Sequence, residues 1–174
     1  MLRSEYSQQA IIDCQGVAGG LYLDGAADSC YVLSFVIQNA HAGYGGGLYC
    51  GHGAKATVSD CLFRNCEAQL GGALYCYDAS LTVLATTVTD CSADEWGGVL
   101  YANGGTVSLI GLVAGRNTAP EGGALYLWGG VTTTVQLSTF YRNSGANGGA
   151  IYARSGSLMV LQTILAFSTS GKGI

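Results

Sequence analysis

The chain has 174 residues, enough for one domain of ordinary size and too few for two comfortable ones. Charged residues make up 10% of it and hydrophobic residues 49%; Gly occurs 28 times, Pro once, and the net charge is −4. Those values exclude a disordered tail, a proline-rich linker and a basic footprint for nucleic acid, and they leave a glycine-dense helical bundle without support.

The amino terminus, MLRSEYSQQAIIDC, lacks the apolar segment of a signal peptide. The longest charge-free stretch, between Glu121 and Arg142, is long enough for a membrane span. It contains four glycines and three consecutive threonines and reads instead as strand, turn and strand. No membrane insertion is expected of it.

From there the chain is repetitive. A Gly-Gly-(x)-Leu/Ile-Tyr signature returns six times, with tyrosines Tyr22, Tyr49, Tyr75, Tyr101, Tyr126 and Tyr152 separated by 27, 26, 26, 25 and 26 residues. A second column, Asn39, Asn65, Asp90, Asn117 and Asn143, keeps the same period. Between the signatures lie short β-prone runs and no helical apolar period of useful length. The pattern predicts one all-β domain over 1–174, a parallel β-solenoid of six to seven coils of about 26 residues. General crossover preference makes it right-handed.

Each column then has an expected place. The Gly-Gly pair marks a turn in every coil. Leu21, Leu48, Leu74, Leu100, Leu125 and Ile151 face inward, with Cys50, Cys76, Ala102, Leu127 and Ala153 two residues on. The tyrosines, one residue off, face outward. The Asn column is expected to form a buried side-chain ladder at a bend, locally altered at Asp90, whose carboxylate cannot donate.

GGAL at 71–74 and 122–125 and GGAI at 148–151, with Phe140–Asn143 as F-x-x-N, resemble the repeats of the polymorphic outer-membrane proteins. Leu62–Asn65 and Val36–Asn39 keep the sense of the second motif. IIDCQG and AGYGGGLYC are similar to large bacterial secreted proteins built of right-handed parallel β-helices. The resemblance implies an extracellular or cell-surface location and a structural or adhesive rod whose partners are a host or neighbouring surface protein, or a glycan. The chain starts in mid-coil and stops without a polar capping repeat, so a part of a longer repeat protein is expected, with end-to-end self-association through uncapped coils.

Tyr49, Tyr75, Tyr101 and Tyr126 form the most regular outward feature, either a contact stripe or a ladder that only stabilises the fold. Trp96 and Trp128 break the repeat and are candidates for a local contact. Cys50 aligns with Cys76, and Cys66 with Cys91, on adjacent coils, as disulfides or as buried thiols. Two histidines and no C-x-x-C give no zinc pattern, and no metal or cofactor is assigned.

Pectin-cleaving enzymes also use parallel β-helices, so carbohydrate binding or cleavage is the alternative function. The alignment offers His41 with Glu67, His52 with Asp78, Glu95 near Glu121, and Arg64, Arg116 and Arg142 in one column. None converges into a set of three, and no catalytic residue is assigned. Ice binding would want paired Thr columns. The single column Thr57, Thr82, Thr106, Thr134 is offset by up to three residues against the tyrosines, too irregular for a flat plane.

Overall fold

The computed structural model describes residues 2–3, 10–25 and 29–168, the first two by backbone alone. Among them there is no helix, and the strands of all four sheets pair in parallel. The chain is a parallel β-solenoid: each strand hydrogen-bonds to the strand about one coil before it and about one coil after it.

Three long sheets run the length of the rod. A Leu–Tyr sheet contains Leu21–Asp24, Leu48–Gly51, Leu74–Tyr77, Leu100–Asn103, Leu125–Trp128 and Ile151–Ala153. A hydroxyl-rich sheet contains Leu2–Arg3, Cys30–Leu33, Lys55–Ser59, Ser80–Leu84, Thr106–Ile110, Thr132–Gln136 and Ser157–Leu161. A third contains Ala10–Asp13, Phe35–Gln38, Leu62–Arg64, Thr87–Thr89, Val113–Gly115, Thr139–Tyr141 and Ile164–Ala166. A short fourth sheet is made of His41–Tyr44, Glu67–Leu70 and Ser92–Trp96.

The core forms because alternate residues of each strand point inward. Leu48, Leu74, Leu100, Leu125 and Ile151 are register partners and fully buried, and Val58, Val83, Leu109 and Val135 meet them from the hydroxyl-rich sheet. Phe63, Val88, Ala114 and Phe140 close the core from the third sheet. Each fully buried Leu or Phe contributes about 1.5–3 kcal/mol of apolar transfer. Ala153, expected inside, is exposed, because no further described strand pairs with Ile151–Ala153.

The two Thr-bearing columns sit differently from the sequence alignment. Thr57, Thr82, Ser108 and Thr134 are register partners on the outer face, while Thr106 belongs to a second outward column with Ser80 and Thr132. The apparent offset arises in the corner after each tyrosine. Tyr49 and Tyr126 lie eight residues before their column member, Tyr75 and Tyr101 seven, and the corners absorb the difference. The columns are straight.

The Gly-Gly pair has two separate jobs, shown by Gly97 and Gly98. Gly97 has φ +68°, a conformation L side chains rarely adopt. Gly98 packs directly under the next coil: a Cβ there would lie 2.4 Å from the Gly123 carbonyl oxygen and 2.6 Å from that of Thr118. Gly98→Ala should therefore force neighbouring coils apart and lower unfolding stability by about 1–3 kcal/mol. Gly43→Ala, on an open loop-side strand with nothing within 4 Å, should stay within about 0.5 kcal/mol of the parent. Urea unfolding of the two variants checks both.

Candidate functional site

The tyrosine column points away from the core, as strand alternation requires, yet it is not a solvent-facing stripe. Tyr49, Tyr75, Tyr101 and Tyr126 are only 9, 8, 3 and 0% exposed and form a second hydrophobic cluster outside the coil interior. Successive rings from Tyr22 to Tyr126 stack at 4.4, 5.2, 5.2 and 5.6 Å between centroids, within 13° of parallel. The short sheet covers them. Its Tyr44 lies 5.1 Å from Tyr75, Leu70 packs on the cluster, and the Trp96 indole stacks on Tyr101 and Tyr126 at 5.9 and 5.1 Å. Trp96 is half-buried and belongs to this covering layer rather than to a free contact. The covering side chains come from a segment the tyrosine spacing does not reveal.

Ladder ends and edges stay open. Tyr22 is 68% and Tyr44 49% exposed. With Tyr49, Ala42 and the backbone of Gly19 and Gly20 they line a cleft of about 290 Å³. Trp128, 37% exposed, carries the Arg154 guanidinium over its ring at 5.4 Å.

The Asn column divides in two. Asn39, Asn65 and Asp90 occupy a left-handed corner with φ near +53°, and the residues continuing that corner are Arg116 and Arg142, not Asn117 and Asn143. Asn tolerates this conformation well. Asn65 donates to Asn39 Oδ1 at 3.4 Å and Asn39 donates to Asp13 at 3.1 Å, both near the surface. Asp90 accepts a two-pronged contact from Arg116 Nε and Nη2, each at 2.7 Å, and the neighbouring guanidinium holds its carboxyl below the usual carboxylate range.

Asn117 and Asn143 lie one step further, fully buried, in register with Cys66 and Cys91. Asn117 donates to Asn143 Oδ1 and to the Val88 carbonyl, and Asn143 donates to the Ala114 carbonyl, at 3.0, 3.1 and 3.0 Å. Cys66 sends its thiol to the corresponding Ile37 carbonyl at 3.7 Å. Because Phe63 is in register with Phe140 through Val88 and Ala114, Cys66 takes the place of the Asn in F-x-x-N, and Leu62–Asn65 is displaced by one residue. Arg64 sits in a strand beside Thr89 and shares no column with Arg116 and Arg142.

All seven cysteines stand as thiols. Cys50 and Cys76 are register partners in the core, where burial pushes their thiols up to about 11 and about 12. The Cys91 thiol donates to Cys66 and so holds Cys66 below the usual thiol range, while burial drives Cys91 well above it.

The acid–base pairs are surface pairs. His41 Nδ1 lies 3.6 Å from Glu67. His52 meets Asp24 rather than Asp78 and turns its ring edge toward Tyr77. Glu121 receives a hydrogen bond from Asn147, and Glu95 one from Gln69. Among the described residues no group of three His, Cys, Asp or Glu side chains forms a metal-sized cluster. No helix in that range is long and apolar enough to cross a membrane.

The coil geometry defines a parallel β-solenoid assembled from one repeating unit. Residues 138–154, which hold strand Thr139–Tyr141, buried Asn143 and the Gly148 turn, match the Chlamydia polymorphic membrane protein repeat. No curated protein and no solved structure matches the chain. The matched segment and the parallel coils together describe a β-helix repeat like that of the polymorphic membrane proteins.

The phenol stack carries a pH signature. Burial pushes Tyr49 up to about 12 and raises Tyr75 and Tyr101 as well. A phenol whose folded value lies above its unfolded value near 10 stabilises the fold fully below about pH 10, and that contribution is lost as pH rises through the folded value. An alkaline titration followed by phenolate absorbance and circular dichroism should show buried tyrosines ionising late, together with unfolding. Full ionisation with the β signal intact would contradict the burial.

Proposed function

We propose that the chain is a rod segment of a cell-surface protein whose stacked coils hold a few exposed aromatic groups in fixed positions for contact with a glycan or a neighbouring surface protein. One observation carries the reading. The repeat buries its own tyrosines, and the aromatic surface left open is local: the cleft between Tyr22 and Tyr44 over Tyr49, and the Trp128–Arg154 pair. A sugar ring presents an apolar face and hydroxyl edges, and two flanking phenols with a third as floor suit both. The repeat match to a membrane-protein family supports a location at the outer membrane or cell surface. Rigid spacing between such patches is what a solenoid supplies and a flexible linker does not.

A glycan array probed with the parent chain should give selective binding. Tyr22→Ala with Tyr44→Ala should weaken it about tenfold, near 1.4 kcal/mol. Unchanged binding in that double variant, or no glycan bound at all, would overturn the cleft as a sugar site. Release of reducing sugar from pectin-type polymers would speak for the polysaccharide-cleaving alternative and direct attention to His41–Glu67 and His52–Asp24.

The same reading includes contact between copies. Strands Ser157–Leu161 and Ile164–Ala166 have a partner strand on one side, and Val160, Leu161, Ile164 and Phe167 are exposed there. A second copy stacked on this end would pair the open strand edges and cover the apolar groups. Sedimentation should show a mass that rises with concentration; a strict monomer at all concentrations would count against it.

A further inference from the structure

The outer face of the hydroxyl-rich sheet has a regularity that the adhesive reading does not use. On three consecutive strands, Ser80 and Thr82, Thr106 and Ser108, and Thr132 and Thr134 point outward as i, i+2 pairs. Each lies opposite its counterparts on the neighbouring strands, with no register shift. Thr57 and Ser157 extend one column each by a further coil. Parallel strands stand about 4.8 Å apart and alternate residues about 6.6 Å apart, so the six hydroxyls form a flat, nearly rectangular net. Strands Ser80–Leu84, Thr106–Ile110 and Thr132–Gln136 are paired on both sides, which fixes the net in place.

The chemistry of the face narrows its ligand. Those three strands carry no charged and no aromatic side chain; beside the hydroxyls stand Leu84, Ile110 and Gln136. A soluble sugar would be expected on aromatic rings, which are found elsewhere on this rod. A single hydroxyl gains little by exchanging liquid water for another hydroxyl partner. Many hydroxyls gain together only against a solid that repeats at their own spacing, each contact making the next nearly intramolecular. Thr methyls between the hydroxyls add apolar contact and restrict the water they hold. The oxygen repeats on the prism face of hexagonal ice lie close to those of this net in both directions.

From that match we infer that this face binds ice, with Ser80, Thr82, Thr106, Ser108, Thr132 and Thr134 as the contact net. The site is separate from the Tyr22–Tyr44 cleft, so glycan results do not bear on it.

The test uses the full chain in ice-affinity partitioning and in thermal-hysteresis measurements on single ice crystals. The parent should enter the growing ice, shape the crystals and show a freezing gap. Thr134→Tyr, which raises a ring out of the centre of the plane, should lose all three effects while keeping its circular dichroism. Thr133→Val is the control. Thr133 points into the core, fully buried and with its hydroxyl unpartnered, so this change should leave ice binding at the parent level. Exclusion of the parent from ice, or equal partitioning of Thr134→Tyr, overturns the inference. So does retention of the parent on crystalline cellulose or chitin without entry into ice, which would assign the net to a polysaccharide surface.

Discussion

Everything in this molecule depends on neighbouring coils approaching to the spacing of a parallel β-ladder at the Gly-Gly turn. Gly98 shows the tolerance: its Cα faces the Gly123 carbonyl of the following coil at a distance where no side chain fits. If that turn stood off by the width of a methyl group, hydrogen bonds such as Gly98 to the Gly122 carbonyl and Leu100 to the Ala124 carbonyl would lengthen together. An unpaired buried backbone group costs about as much as a lost hydrogen bond, so the penalty would spread along the coil. The turn therefore sets the distance at which the Leu column, the tyrosine stack and the hydroxyl net are all in contact.

Two separate hydrophobic layers follow from one strand type. In Leu74–Tyr77 the residues alternate between an interior that holds Leu74 and Cys76 and an exterior that holds Tyr75. A half-exposed sheet would ordinarily present polar groups outward. Here the outward residue is aromatic, and the short sheet from His41 to Trp96 lies over part of the stack. The layer thins beyond it: Glu121 and Asn147 continue the covering column, and Tyr152 is only partly buried. Polar corners complete the arrangement, the surface one closed by Arg116 on Asp90 and the buried one by Asn117 and Asn143.

What could be read from the residues alone was whatever repeats in a fixed relation to the tyrosine. Leu48, Leu74, Leu100 and Leu125 precede it by one position in every coil, so strand, inward face and coil period were all accessible. Features separated from the tyrosine by a corner were not. Corners differ by one residue, as between Gly51–Ala54 and Asp78–Ala79, so Thr106 was aligned where Ser108 stands and the flat face was missed. The same one-residue slip merged Asn65 with Asn117, although one caps a left-handed corner and the other fills a buried slot that Cys66 also occupies. Tyrosine burial was invisible for a different reason: it depends on which segment folds over the sheet, and Tyr44, Leu70 and Trp96 share no residue type that would mark them as one column.

The external tyrosine stack also bears on how such a chain can change length. A ring such as Tyr101 is shared by its neighbours Tyr75 and Tyr126, so a coil contributes half of two aromatic contacts rather than one of its own. Duplicating a whole coil adds one ring and one contact and leaves every other pair in place. Losing part of a coil would break the stack and the core at the same point. Growth and loss in units of a complete turn are then the changes that preserve both layers, and a rod of this kind is free to vary in reach while its cross-section stays constant.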